Sequence, residues 1–170
     1  MSDAPARLTP LLMAFLAALD HSAFSTWLRG SDSIWAFPTV LTLHTLGMMV
    51  LAGASAALDL RLLGVARQIP LPALRGLFPL MWGGFWLNLV SGSMLFVSDA
   101  TTKGTLPMFY AKLLFVAIGV VTLVLIRREV YGRKNADPFH VSSAARFLAI
   151  ASIAAWTLAI TAGRLLAYVA

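Results

Sequence analysis

A single histidine, His44, sits inside the apolar run "LTLHTLGMMVLAGASAALDLRLLG" at residues 41–64, which closes on Asp59 and Arg61. On a helix turning about 100° per residue, Met48 falls ~40° from His44, Ser55 ~20° and Asp59 ~60°. These residues share one face, and Gly47 at its edge allows close approach by a neighbouring helix or a flat ligand. A second polar face joins Asn88 to Met81, Gly84, Ser91 and Gly92, and a third aligns Thr157, Thr161 and Arg164. Polar side chains inside hydrocarbon avoid lipid, so all three faces are expected to point into a bundle.

His44 supports three chemistries. As a ligand, one imidazole nitrogen holds haem iron, copper or zinc while a hydroxyl or backbone carbonyl holds the other. As a proton relay it needs an ionisable neighbour at similar depth, and Asp59 is roughly 22 Å further along the helix. As a structural residue it is neutral and bonded to a facing helix, with Asn88, Thr157 and Thr161 as candidate partners. A haem b usually takes two histidines from facing helices, whereas His21 and His140 lie outside the apolar runs. Methionine is then the candidate second ligand of a haem b or copper site at His44, with Met48 on the same face and Met49, Met81 and Met94 also within the spans, against the plainer reading in which the 7 methionines fill packing gaps. With 0 cysteines, disulfides, thiolate metal sites and cysteine nucleophiles are excluded. Asp59 and Arg61 read as an interfacial polar pair at the end of the first span, with Arg75 as a partner for Asp59. Asp99 and Arg164 are expected to pair at the opposite end, or each to be hydrated.

The elements that must position these residues follow from composition. The chain has 170 residues, 59% hydrophobic and 12% charged, with a mean hydropathy of +0.83. Such a chain is a membrane protein. Uncharged or nearly uncharged runs at residues 34–58, 76–98, 108–127 and 144–168 are each long enough to cross a hydrocarbon core of about 30 Å. They are apolar on all sides, unlike the alternating strands of a barrel. The expected fold is all-α: an integral membrane four-helix bundle forming a single domain over 1–170, preceded by an interfacial amphipathic helix at about 8–28. That first segment is too short to span, and a cleavable signal is its alternative reading. Lys112 and Arg164 lie near span ends, from which long side chains snorkel to the headgroups.

Charge sets the orientation. Arg61, Arg67, Arg75, Arg127, Arg128, Arg133, Lys134 and Arg146 lie in or beside the loops after the first and third spans, against Arg7, Arg29, Lys103, Lys112 and Arg164 on the other side. The expectation is that those two loops are cytoplasmic and both termini outside. The formal net charge of +6 therefore reads as topology and contact with anionic lipid, with no nucleic acid as partner.

The segments "FPTVLTLHTLGMMVLAGASAALDLRLLG", "IPLPALRG", "SGSMLFVSDATT" and "AITAGRLLAY" resemble an uncharacterised family of small four-helix bacterial inner-membrane proteins, a domain of unknown function. The resemblance spans about 12–168 and implies that His44, Asp59, Arg61 and Arg164 are recurrent polar positions. Many relatives carry a further histidine near the end of the third span, where this chain reads "LVLIRREV", and its absence speaks against a two-histidine cofactor site. The helix count and lone intramembrane histidine are also similar, more distantly, to the copper-resistance D type. Paired carboxylates, a Ser-His-Asp set at one depth and a Gly-rich phosphate loop are all missing from the sequence, which argues against an enzyme. The expected role is a non-enzymatic binding or accessory component with a membrane-protein partner or a second copy of itself. The alternative is a redox subunit holding haem b or copper at His44, and a small-solute or ion permease is third, with Gly83 and Gly84 the only hint of a broken helix.

Overall fold

The computed structural model describes residues 4–33, 35–132 and 139–169, with side chains described from residue 10 to residue 168 of these. The chain folds as α1 (Ala4–Asp20), α2 (Ala23–Gly30), α3 (Phe37–Leu63), α4 (Leu77–Val97), the short α5 (Ala100–Lys103), α6 (Pro107–Tyr131) and α7 (Ser143–Val169). A 3-10 helix, Leu71–Gly76, leads into α4. No strand forms among the described residues. Four helices, α3, α4 with its 3-10 lead, α6 and α7, are long and apolar enough to cross a membrane. Backbone groups in hydrocarbon must be satisfied within the segment, which is why these apolar runs are helical throughout.

Local signals mark the ends. Pro38 lies in the first turn of α3 and Pro107 in that of α6, where a missing N–H costs nothing. Gly64 ends α3 with φ +104°, a left-handed conformation that suits glycine. Its N–H bonds back to the carbonyl of Arg61, while the Val65 N–H bonds to that of Leu60. Ser142 begins α7 by accepting the Ala145 N–H at 3.1 Å and ties it to α6 by donating to Glu129 Oε1 at 2.9 Å.

In the bundle α3 packs along both α4 and α7, and α6 packs along α7. Small residues set the approach. A Cβ on Gly84 would lie 2.8 Å from the carbonyl oxygen of Gly47, so the backbones of α3 and α4 touch here. Between α6 and α7 the ring of Trp156 lies flush with Gly119. The core of Leu51, Leu58, Leu62, Met81, Leu123 and Ile126 fills the space between the four helices toward the 3-10 end. At the other end Leu28 of α2 packs with Ala36 and Val40, against Met94 and Leu95 of α4.

The N-terminal segment, expected as one helix over 8–28, is two. Taken together α1 and α2 are long and apolar enough to count as one broken or re-entrant span, contrary to the expectation from length, and they bend by 54° where they meet, at the point where Ser22 caps α2 by accepting the Ser25 N–H at 3.2 Å. Leu16 of α1 lies against Gly104, and the Thr101 hydroxyl donates to Asp20 Oδ2 at 2.5 Å. The N-terminal helices are thus docked on the α4–α6 connection.

Candidate functional site

Two polar clusters lie along α3. In the first, His44 Nδ1 lies 3.2 Å from the Asn88 carbonyl oxygen and 3.1 Å from Ser91 Oγ. A carbonyl only accepts, so Nδ1 carries the hydrogen. The Ser91 hydroxyl donates to the Leu87 carbonyl at 2.6 Å, which leaves its lone pairs for the imidazole. In return Asn88 Nδ2 donates to the His44 carbonyl at 2.8 Å. Gly92 makes room for the ring: a Cβ there would stand 3.0 Å from His44 Cε1. The reciprocal pair locks α3 to α4, and it leaves Nε2 as the nitrogen that faces any further partner. Met48, one turn along α3, is half-buried. Lys112 of α6 is half-buried, and its Nζ lies beside Gly163 of α7.

The second cluster joins α3 to α7. Ser55 Oγ donates to Asp59 Oδ2 at 3.2 Å and lies 3.1 Å from Ser152 Oγ. Asp59 is fully buried, and its Oδ1 has no hydrogen-bond partner among the described residues. The expected interfacial carboxylate bonded to Arg75 is therefore replaced by a buried carboxyl whose partners are hydroxyls. The reason is length: α3 runs on past residue 58 to Leu63, which leaves Asp59 more than a turn inside the helix. Arg61 is also buried. Its Nε donates to the Ile69 carbonyl at 2.7 Å and its Nη2 to that of Arg67 at 3.1 Å. Arg61 pins the loop after α3 and makes no pair with Asp59.

The outer polar positions are rearranged as well. Asp99 faces Lys103 at 3.7 Å instead of Arg164, and Lys103 also donates to the Leu95 carbonyl at 2.7 Å. Burial pushes the Lys103 ammonium below the usual lysine range, while Asp99 pulls the other way. Arg164, Thr157 and Thr161 are exposed on the outside of the bundle. Thr161 tolerates that face because its hydroxyl donates to the Thr157 carbonyl at 2.8 Å within its own helix. Inward from α7 come Ser152 and Trp156 instead. Neither stood out in the sequence, and the one signal for them is the small-residue spacing of "AIASIAAW". Asp20 was also silent, although it pairs with Arg29 at 3.1 Å. The hydrogen bond from Thr101, followed by the Arg29 charge, outweighs burial and holds the Asp20 carboxyl below its ordinary 3.8.

Among the described residues no group of three or more His, Cys, Asp or Glu side chains is arranged to hold a metal ion. His44, Asn88 and Ser91 form one unit, and Asp59, Ser55 and Ser152 another, one cluster bonding α3 to α4 and the other α3 to α7. No family model matches the chain, and neither the curated proteins nor the solved structures contain a match.

Proposed function

We propose that the chain is a non-enzymatic binding or accessory component of a bacterial inner membrane. One observation carries this reading: the polar side chains inside the bundle bond helix to helix, α3 to α4 through His44, Asn88 and Ser91 and α3 to α7 through Ser55 and Ser152. Groups spent in this way supply helix association rather than turnover. The orientation that goes with it has both termini outside and the loops after α3 and α6 in the cytoplasm, on the strength of their arginines. The partner is a membrane protein or a second copy of the chain.

A redox subunit holding haem b or copper is the second reading, favoured by one feature of His44. Its Nδ1–H is held by the Asn88 carbonyl, which orients the Nε2 lone pair as in histidines that bind metal. His44 and Met48, one turn apart, would supply the ligands, and the bound group would supply electron transfer. Visible spectra with and without dithionite, together with metal analysis, of protein purified in mild detergent separate the two readings. For the accessory role His44→Asn keeps the fold at a cost of roughly 1 kcal/mol, in the range of interhelical polar contacts, with no change in spectrum or metal content. A Soret band or stoichiometric copper that disappears in His44→Asn at unchanged melting temperature refutes it.

A further inference from the structure

Between α4 and α6, at the end of the bundle that carries the 3-10 helix, lies a groove of about 380 Å³. The two helices run antiparallel and are bridged by aromatic pairs at both ends. Phe78 meets Tyr131 edge to face at 5.4 Å, and Phe96 stacks on Phe109 at 4.9 Å. Trp82 and Leu123 line the groove, as do Arg75, Arg127 and Arg128, which stand one to two turns nearer the helix ends. The Arg75 guanidinium lies 5.7 Å from the centre of the Tyr131 ring and that of Arg127 lies 5.9 Å from Phe78. Both are within cation–π range, so the rings place the charges before any ligand arrives. Tyr131 is itself held by donating to the Leu71 carbonyl at 2.9 Å. None of the three arginines forms an ion pair among the described residues. Glu129, beside them in sequence, accepts from Ser142.

The geometry points to a binding site for one anionic glycerophospholipid, its phosphate at the three guanidinia and the start of its acyl chains against Trp82 and Leu123. Charge and depth select this occupant. Guanidinium forks match phosphate oxygens. Trp82 lies about two turns, or ~10 Å, deeper than Arg75, so the lining changes from charged to apolar over the distance at which a lipid changes from headgroup to chain. The volume is at the low end of ligand pockets, enough for a headgroup and the first part of its chains while the remainder stays in the bilayer. Basic pockets between membrane helices select anionic headgroups for the same reason. This site is separate from the His44 cluster and stands whether that histidine is structural or a ligand.

Native mass spectrometry of the delipidated full chain, titrated with dioleoyl phosphatidylglycerol or dioleoyl phosphatidylcholine, tests the site. The expected result is preferential binding of one phosphatidylglycerol. Arg127→Gln should weaken it about five-fold, the effect of one basic residue near an anionic surface, and Arg75→Gln/Arg127→Gln/Arg128→Gln should abolish the preference. Arg67→Gln/Arg146→Gln removes the same kind of charge from the same end outside the groove and should leave binding unchanged. If the triple variant does not fold, the single Arg127→Gln decides, and an unchanged affinity overturns the site. Equal binding of the two lipids overturns it, as does a loss in Arg67→Gln/Arg146→Gln equal to that in the groove variants. Displacement of phosphatidylglycerol by inorganic phosphate would make a free anion the occupant and overturn the lipid assignment.

Discussion

Replacing Gly84 with alanine probes the contact on which the α3–α4 pair depends. The added Cβ would stand 2.8 Å from the Gly47 carbonyl oxygen, 2.8 Å from the Leu51 nitrogen and 3.2 Å from Leu51 Cα, all backbone atoms of α3. No side-chain rotation relieves such contacts. Restoring an ordinary 3.4 Å requires the helices to part by about 0.6 Å, the kind of backbone shift that overpacking imposes. The same movement would stretch the 2.8 Å bond from Asn88 Nδ2 to the His44 carbonyl toward the limit of a hydrogen bond. Overpacking costs about 1–3 kcal/mol and a weakened interhelical polar contact roughly 0.6 kcal/mol, so Gly84→Ala is expected to lose about 1.6–3.6 kcal/mol relative to Gly83→Ala, both variants sharing the helix gain of alanine over glycine. The neighbouring Gly83 is the control. A Cβ there meets nothing within 4 Å, and alanine is favoured over glycine in a helix by up to about 1 kcal/mol. Far-UV circular dichroism during unfolding of micelle-embedded protein by sodium dodecyl sulfate compares the two. Equal midpoints for Gly83→Ala and Gly84→Ala would refute the close approach.

Two further predictions concern the ends of the bundle. The depressed Asp20 pKa makes its contribution to docking of α1 and α2 complete above 3.8 and lost as the pH falls through the lower folded value. A nitroxide pair at the exposed Thr26 and Thr105 should therefore separate on acidification below that point, whereas Asp20→Asn should already be apart, or loosened, at neutral pH with no acid transition; a pH-independent distance in the parent protein would contradict this. The chain has no cysteine of its own, so an impermeant thiol reagent on intact cells should label Thr102→Cys and spare Asn135→Cys, and the opposite pattern would reverse the proposed orientation.

The sequence by itself determined the four spans, because the length and uniform apolarity of each run leave helix as the one conformation that satisfies its backbone in lipid. It also indicated that His44 turns into the bundle, since a polar side chain in hydrocarbon has to find its complement, but it left Asn88 on α4 and Thr157 and Thr161 on α7 open as partners, and only the packing of α3 on α4 chose Asn88 and Ser91. Uniform apolarity is also why the remaining faces were illegible. A helix that is greasy all round carries no amphipathic signal for which side turns inward. Thr157 and Thr161 suggested one side of α7, yet a hydroxyl satisfied by its own helix can face lipid, and packing against Gly119 and Ser55 turned Trp156 and Ser152 inward instead. Asp59 looked interfacial because the apolar run stops before it, whereas the burial of a carboxyl depends on what α7 places opposite, here Ser152. Arg75, Arg127 and Arg128 were readable as charges that orient the chain. Only the antiparallel placement of α4 and α6 gathers them at one groove over Phe78 and Tyr131, since residues more than 50 positions apart become neighbours through tertiary contact and through nothing local.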